Sequence, residues 1–367
     1  MDTGFYKAYK KYDNASRAIF ENIRPRDVAR AISSRRLSTK DLVALLSTDA
    51  EPHLEEMARK ARDITLRNFG KAVQLYTPLY VSNYCSNECV YCGFNSSGDV
   101  ERKTLSLDEV REEAEFIAST GLKHVLLLTG GCRVEASVSY LKDCVKVLKE
   151  YFSSVSIEIY ALEEDEYTAL IDEGVDGLTI YQETYDEEVY GKVHLSGRKR
   201  DFRFRLDAPE RAGIRGMRTI NLGVLLGLAH WRRDVFMLAL HAEYMQDKFP
   251  SAEISVSVPR IKPNAEGFAP KYAVTDANVV QMVLALRLFL PRLGVTLSTR
   301  EDADFRENML PLGITRMSAG STTAVGGHTA ADSNAAQFEI SDKRDVREIM
   351  DMLSSKGYQP VLKDWVG

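Results

Sequence analysis

The sequence predicts an α/β protein with the (β/α)8 TIM-type barrel fold, and three observations lead to that prediction. Short runs of β-branched and apolar residues alternate with stretches of helical periodicity, which is typical of parallel βαβ units. Eight such runs fall within about 250 residues, the usual length of one α/β barrel. A chain of 367 residues also has room for segments on either side of the barrel. The eight predicted strands are Val73–Val81, His124–Leu128, Val155–Tyr160, Gly177–Tyr181, Thr219–Leu226, Glu253–Val258, Val295–Ser298 and Thr315–Ser318.

An N-terminal helical extension is predicted over residues 1–70, because this segment contains no β-type run. Ser38 and Asp41 have the spacing of a capping box, in which each side chain bonds the backbone N–H of the other at the start of a helix. The most regular helix predicted within the barrel begins in the same way, at Ser106 with Glu109 three positions later.

The barrel is predicted over residues 71–330, and the chain after it reads as a short appendage. Residues 331–367 contain a helical pattern at Val346–Leu353 and an extended tail at Tyr358–Trp365. We expect both to pack on the outside of the barrel.

Composition and charge exclude several classes of function. A net charge of −5 gives no general attraction for nucleic acid. No uninterrupted apolar run approaches the ~20 residues that a membrane span needs, and the first residues are too polar for a secretory signal. Five cysteines would be an odd number for a secreted disulfide framework. The sequence therefore predicts a cytoplasmic protein with neither a nucleic-acid nor a membrane partner.

The chemistry is predicted to lie directly after the first strand, where Cys85, Cys89 and Cys92 fall within eight residues. Thiolates are the ligands that suit iron–sulfur clusters, and three of them leave one iron of a four-iron cluster open to a small molecule. A zinc site is the alternative, but the sequence lacks the second cysteine pair or the His-x3–5-His element that such sites usually have. Cys132 and Cys144 stand alone and are predicted to be small residues of the hydrophobic core.

The spacing C-x3-C-x2-C, with an aromatic residue before the third cysteine, resembles the signature of the radical S-adenosylmethionine (SAM) superfamily. This resemblance implies a [4Fe–4S] cluster with SAM on its open iron, inside a (β/α) barrel. SAM is then cleaved to methionine and a 5′-deoxyadenosyl radical, which removes a hydrogen atom from the substrate. The resemblance also implies that Tyr91 lies against the adenine and that the backbone at Phe94 pairs with the adenine edge. A packed core aromatic is the alternative for Tyr91 alone.

Longer stretches are similar to the tyrosine lyases of bacterial thiazole biosynthesis, the 2-iminoacetate synthase family. The resemblance implies cleavage of the Cα–Cβ bond of L-tyrosine to 2-iminoacetate (dehydroglycine) and p-cresol, as a step of thiamine biosynthesis. By analogy with related lyases, the hydrogen atom is taken from the substrate amino group. The similar stretches are Leu75–Asn83, Cys92–Phe94, Tyr181–Tyr185, Leu297–Glu301 and Gln359–Trp365.

The same resemblance implies which residues bind SAM. The backbone of Thr129, Gly130 and Gly131 would receive the SAM ammonium, Glu183 would bond the ribose hydroxyls, and Arg205 would pair with the SAM carboxylate. This sequence has Gly-Cys where the family commonly has Gly-Glu, so the resemblance extends to the backbone role alone. A plain β–α turn and surface salt bridges are the alternatives for these residues.

For the substrate, the resemblance implies that Arg300 holds the amino-acid carboxylate with Ser318 or Ser321 beside it. Arg300 would lie at the end of the seventh strand and Ser318 at the end of the eighth, which is the rim where barrel active sites form. The alternative is that Arg300 braces the rim against Glu301 or Asp302. No catalytic base is predicted.

Four further expectations concern the histidines and the protein partners. The six histidines show no ligand spacing, and His194 is expected at the surface near Glu183. The resemblance implies a flavodoxin or ferredoxin as electron donor, and a thiazole synthase as a possible receiver of 2-iminoacetate.

Three alternatives stay open at this point. A tryptophan lyase would share the cluster and the arginine. The related maturase of iron-only hydrogenase also splits tyrosine, but it carries further cysteines in a C-terminal extension, whereas no cysteine follows Cys144 in this sequence. A non-enzymatic iron–sulfur or zinc protein is the alternative from a different class.

Overall fold

A closed barrel of eight parallel strands forms the centre of the protein. The computed structural model describes residues 4–13, 18–262, 267–330 and 336–362. Each barrel strand pairs in parallel with the next, and the eighth pairs with the first, so the predicted fold class is confirmed. The barrel strands, numbered β1 to β8 in chain order, are Ala72–Ser82, His124–Thr129, Ser154–Glu158, Gly177–Glu183, Thr219–Val224, Glu253–Ser257, Gly294–Leu297 and Arg316–Ser318.

The barrel closes between β8 and β1, where Gln74 lies opposite Arg316 and Tyr76 lies opposite Ser318. All eight predicted strands are present, and their predicted ends lie within two residues of the observed ones. Because the strands are parallel, all of their C-terminal ends meet at one rim, which is where α/β barrels place their active sites.

Helices cover the outside of the barrel, and within the described ranges no helix combines the length and apolarity needed to cross a membrane. The helix predicted after Ser106 is confirmed: Ser106 and Glu109 form the capping box, with Ser106 N–H donating to Glu109 Oε2 at 2.8 Å. The α-helices, numbered α1 to α14, are Phe5–Asp13, Pro25–Ser33, Thr39–Leu46, Leu54–Phe69, Leu107–Ser119, Val138–Lys149, Glu164–Asp172, Glu187–Val193, Phe202–Leu206, Ala208–Ile214, Trp231–Lys248, Asp276–Phe289, Ala303–Met309 and Val346–Ser355.

Most of the described residues before β1 lie in helices, α1 to α4 and two short 3-10 turns. The capping box of α3 is present, with Ser38 N–H donating to Asp41 Oδ2 at 2.8 Å. Gln281 of α12 donates from Nε2 to the carbonyl oxygens of Leu45 at 2.9 Å and Ser47 at 2.7 Å. These bonds satisfy carbonyls at the end of α3 and attach it to the outer layer of the barrel.

The chain after the barrel contains the predicted helix, α14, followed by an extended segment. Residues Gln359–Val361 form a ninth strand, β9, which pairs in parallel with the start of β1, Ala72 lying opposite Gln359. The last three residues of the predicted extended tail, Lys363 to Trp365, lie outside the described residues.

Candidate active site

An open cavity occupies the C-terminal rim of the barrel. Residues from the strand ends and from the loops that follow them form its wall, as expected for an α/β barrel. Every residue that the sequence predicts for the site lines this one cavity. These residues are Cys85, Cys89, Tyr91, Cys92, Phe94, Thr129, Gly130, Gly131, Glu183, Arg205, Arg300, Ser318 and Ser321.

The three clustered cysteines lie on a loop that leaves β1. Cys89 is buried, whereas Cys85 and Cys92 are partly exposed to the cavity. Asn87 donates to Cys85 Sγ from its backbone N–H at 3.4 Å, and Gln337 Nε2 lies 3.6 Å from Cys92 Sγ. Donors directed at sulfur stabilise negative charge there, which a cluster-ligating thiolate carries.

Burial raises the pKa of the Cys89 thiol to about 12 and also raises the pKa of Cys92. A group that binds these sulfurs as thiolates must therefore supply positive charge, as iron does. Among the described residues, no three His, Cys, Asp or Glu side chains gather closely enough to hold a single metal ion. The three thiols instead line one open cavity, where they would hold a four-iron cluster that supplies an open iron for a small-molecule ligand.

Gly130 and Gly131 come close to the cysteine loop, so no side chain fits there. A Cβ atom on Gly130 would lie 2.2 Å from the carbonyl oxygen of Tyr84. A Cβ atom on Gly131 would lie 2.1 Å from Asn87 Nδ2 and 3.4 Å from Cys85 Sγ. Ser86 Oγ also donates to the Gly131 carbonyl at 2.8 Å. The glycines thus allow the turn after β2 to pack against the loop that carries the cysteines.

Glu183 has a backbone φ of 70°, in the left-handed region, at the end of β4. The register with β5 shifts between Tyr181 and Glu183, so a bulge turns the carboxylate toward the cavity. Lys199 Nζ donates to Glu183 Oε1 at 2.7 Å, and Arg205 Nη2 lies 3.7 Å from the same oxygen. A non-glycine residue held in this conformation stores strain, which is common at functional sites.

The Arg205 side chain is held in place by its Nε, which donates a hydrogen bond to the Tyr181 carbonyl oxygen at 2.6 Å. The sequence did not predict Lys199 as a site residue. Its Nζ lies 5.5 Å from the centre of the Tyr91 ring and donates a hydrogen bond to Glu183 Oε1. It belongs to a short 3-10 turn in the β4–β5 segment, where no periodic pattern indicates which side chains turn inward.

His194 is fully buried, so the expectation of a surface position is wrong. His194 is paired with Cys89 in a two-stranded antiparallel ribbon made by Glu88–Cys89 and His194–Ser196. Its Nδ1 lies 2.9 Å from the Tyr190 carbonyl, which can accept only, so Nδ1 carries the proton. Nε2 is then the acceptor for the Tyr91 hydroxyl at 2.7 Å. Burial lowers the pKa of His194 to about 2, consistent with this neutral ring.

Three further predicted positions remain, Phe94, Cys144 and Cys132. The Phe94 ring is buried and its carbonyl accepts from Arg102 Nη1 at 2.9 Å. Cys144 is buried in the core as predicted, but Cys132 is partly exposed beside Gly131, so the prediction of a core position for Cys132 is wrong. The turn after β2 lies at the rim and not in the core, which explains that exposure.

Arg300 lines the cavity, whereas its acidic sequence neighbours Glu301 and Asp302 do not. Glu301 pairs with Arg260, whose Nε lies 3.0 Å from Glu301 Oε1, and Asp302 caps α13 by accepting from Phe305 N–H at 2.9 Å. Arg300 therefore braces neither carboxylate. Its guanidinium lies over the ring of Phe338, 3.4 Å from Cζ to the ring centre.

The two predicted serines beside Arg300 differ in their environments. Ser318 Oγ accepts from the backbone N–H of Thr299 at 3.2 Å, so it holds the segment that carries Arg300. Ser321 Oγ is buried and, among the described residues, has no hydrogen-bond partner. A buried hydroxyl without a partner is costly and indicates a site that a ligand completes.

Comparisons with known proteins agree with this architecture. Residues 79–239 match the model of the radical SAM superfamily, and residues 257–359 match the Biotin and Thiamin Synthesis associated domain. The first of these segments contains the cysteine loop, and the second contains Arg300. The fold and the site thus define the class: a barrel enzyme of the radical SAM type.

Relatives that align over most of their length identify the family within this superfamily. The 2-iminoacetate synthases of Salmonella typhimurium and Escherichia coli are each 39% identical to this chain over 340 residues, which is 92% of the chain and 90% of each relative. The chain belongs to the 2-iminoacetate synthase family of the radical SAM superfamily.

Solved structures give the same result for the fold. HydG, a maturase of the [FeFe]-hydrogenase, superposes with a TM-score of 0.89 at 32% identity, covering 95% of this chain and 80% of HydG. Methylornithine synthase (PylB) superposes with a TM-score of 0.74 at 23% identity, covering 91% of this chain and 97% of PylB.

Proposed function

We propose that this protein is a tyrosine lyase, which cleaves the Cα–Cβ bond of L-tyrosine to 2-iminoacetate and p-cresol and consumes SAM as methionine and 5′-deoxyadenosine. The observation that carries the proposal is one cavity in which three cysteines border one side and the Arg300 guanidinium lies free of carboxylate partners among the described residues. The family relationship to 2-iminoacetate synthases supports the choice of substrate.

Cys85, Cys89 and Cys92 would hold a [4Fe–4S] cluster, and the cluster with bound SAM supplies a 5′-deoxyadenosyl radical that removes a hydrogen atom from the substrate. The chain itself provides the surroundings. Placing the substrate beside the reacting carbon makes the abstraction effectively intramolecular.

On the SAM side of the cavity we assign the Thr129, Gly130 and Gly131 backbone to the ammonium, Glu183 to the ribose and Arg205 to the carboxylate. The 3.7 Å between Glu183 and Arg205 supports a shared ligand that meets both. Tyr91, whose hydroxyl is fixed by His194, would present its ring to the adenine, and the backbone at Phe94 would meet the adenine edge.

On the substrate side we assign the tyrosine carboxylate to Arg300. A guanidinium forms two parallel hydrogen bonds with a carboxylate, and the unpartnered Ser321 hydroxyl can add a third. Ser318 then acts through the backbone of Thr299, by keeping Arg300 in place.

We expect the two ligand sites to respond separately to matched substitutions. Glu183→Gln and Arg205→Gln should weaken SAM binding about tenfold to a hundredfold, because each removes a charge-assisted hydrogen bond worth roughly 1.5–3 kcal/mol. Arg300→Gln should leave SAM binding unchanged and raise the tyrosine concentration needed for half-maximal rate by a similar factor. Calorimetric titration of SAM and steady-state kinetics measure the two effects. Normal tyrosine dependence in Arg300→Gln would contradict the placement of the substrate.

The substrate itself is tested by product analysis under anaerobic conditions. With SAM, a one-electron reductant and L-tyrosine, the protein should release p-cresol and glyoxylate, the hydrolysis product of 2-iminoacetate. L-Phenylalanine should react poorly, because a site that bonds the phenol leaves its polar groups unpaired when the hydroxyl is missing. Carbon monoxide and cyanide should be absent, because the proposed reaction ends at 2-iminoacetate and p-cresol. An indole product from tryptophan, with none from tyrosine, would refute the assignment.

Electron supply and product transfer complete the proposed function. A flavodoxin or ferredoxin would deliver the electron, and a thiazole synthase would receive 2-iminoacetate. We also propose a cytoplasmic location, because all five cysteines are free thiols and the cluster ligands must stay reduced.

A further inference from the structure

Two opposite charges face the cavity without partners. Among the described residues, neither the Glu158 carboxylate nor the Arg300 guanidinium takes part in a hydrogen bond or an ion pair, and the two do not pair with each other. Glu183, the other carboxylate that the described part of the cavity wall presents, is already bonded to Lys199. A carboxylate without a partner in such a cavity costs free energy, unless a bound ligand supplies the opposite charge.

Glu158 is the last residue of β3, so its carboxylate stands at the C-terminal rim. Its charge acts on the phenols of Tyr76 and Tyr181, whose pKa values are raised by burial first and by Glu158 second. It also acts on Arg300. Glu158 therefore lines the same cavity as Arg300, and the charges of the two side chains act on each other.

We propose that Glu158 receives the α-ammonium of the substrate, so that Glu158 and Arg300 together bind the zwitterionic end of an α-amino acid. This inference rests on the proposed function. Tyrosine carries a carboxylate and an ammonium on the same carbon, and a site with one charge of each sign satisfies both. Since Glu183 is occupied by two cations, Glu158 is the carboxylate left for the ammonium.

The charge of Glu158 depends on pH within the physiological range. Burial, and secondly the nearby Glu183, raise its pKa to about 7, while the surrounding cations oppose the shift. The substrate ammonium keeps its charge well above that pH. Ammonium recognition should therefore be present above about pH 7 and fall as the pH drops below it. The titratable and charged groups around Glu158 are Tyr76, Tyr80, Tyr181, Glu183, Lys199, Arg205 and Arg300.

A ligand series separates this contact from the others. The cluster-loaded protein with SAM, without reductant, is titrated with L-tyrosine, tyramine, L-phenylalanine and 3-(4-hydroxyphenyl)propionate, which lacks the ammonium. Glu158→Gln should lower the affinity for L-tyrosine, tyramine and L-phenylalanine about tenfold to a hundredfold. The affinity for the propionate should stay within a factor of about two. Arg300→Gln should lower the affinity for L-tyrosine and the propionate. The affinity for tyramine, which lacks a carboxylate, should not change.

Glu163→Gln is the matched control, because Glu163 is exposed at the start of α7 in the same β3–α7 connection and does not line the cavity. It should bind all four ligands as the unmodified protein does. Cluster absorbance and SAM binding verify that each variant is folded. Should Glu158→Gln fail to fold, the unmodified protein still tests the proposal. Lowering the pH from 8 to 6 should reduce its affinity for tyramine about tenfold and should not reduce its affinity for the propionate.

Two results would overturn the proposal. If Glu158→Gln lowers the affinity for the propionate as much as that for L-tyrosine and leaves the affinity for L-phenylalanine unchanged, the Glu158 carboxylate contacts the phenol instead. If no ligand changes, or if tyramine binding is independent of pH, Glu158 does not meet the ammonium. Failure of the proposed function is distinct, since then the unmodified protein itself would bind no L-tyrosine and release no p-cresol.

Discussion

Replacing any one of Cys85, Cys89 and Cys92 by Ala should abolish both the iron–sulfur absorbance of the reconstituted protein and its cleavage of SAM. All three thiols border the same cavity, and a cluster with one open iron has no spare protein ligand. Loss of one thiolate leaves a second iron exposed. The measurements are the visible absorbance after anaerobic reconstitution, iron and sulfide content, and 5′-deoxyadenosine released with SAM and a reductant.

The controls for this experiment are the two remaining cysteines. Cys144 is buried in α6, and Cys132 is partly exposed in the turn after β2, next to Gly131. Cys144→Ala and Cys132→Ala should both keep the absorbance and SAM cleavage. Cys132 is the more stringent control, because it lies near the cluster loop without being assigned as a ligand. Full cluster loading in Cys89→Ala, or cluster loss in Cys132→Ala, would contradict the ligand assignment.

The barrel could be predicted because its signals are local. Each strand is a short apolar run, and the helices between them begin with capping residues such as Ser106 that act within one turn. Alternation of the two element types leaves few topologies other than a parallel barrel. The positions of Glu183 and Ser318 followed from the same logic, since strand ends meet at one rim.

The rest of the site depends on contacts that no local pattern encodes. The buried position of His194 comes from a ribbon with Glu88–Cys89, residues about a hundred positions away. Lys199 reaches Glu183 from a short turn without periodicity. Glu158 carried a usable signal, because it ends β3, but the predicted strand ran on to Tyr160 and so placed Glu158 inside the strand. An error of two residues at a strand end was enough to hide a charged residue of the rim.

Asp342→Asn should lower the free energy of unfolding by roughly 3–5 kcal/mol, the cost of leaving a buried charge without its partner. Asp342 and Arg306 form an ion pair in which both side chains are almost completely buried, and Arg306 also donates to the Ser318 carbonyl at the end of β8. Burial would raise the pKa of Asp342, but hydrogen bonds from Arg344 and the charge of Arg306 outweigh it and hold that pKa below its usual value. This stabilisation is therefore present above about pH 4 and lost as the pH falls through the lowered pKa.

The same substitution should also act on the site, because the backbone N–H of Asp342 donates to the Thr299 carbonyl at 3.2 Å, next to Arg300. We expect the cluster-loaded variant to melt several degrees lower and to need more tyrosine, with SAM binding unchanged. Asp345→Asn is the matched control: Asp345 is exposed at the start of α14, and asparagine caps a helix about as well as aspartate. Thermal unfolding under anaerobic conditions compares the two variants. Equal melting temperatures would show that the buried pair adds nothing beyond a surface cap, and an unchanged tyrosine requirement would show that Arg300 is held in place without Asp342.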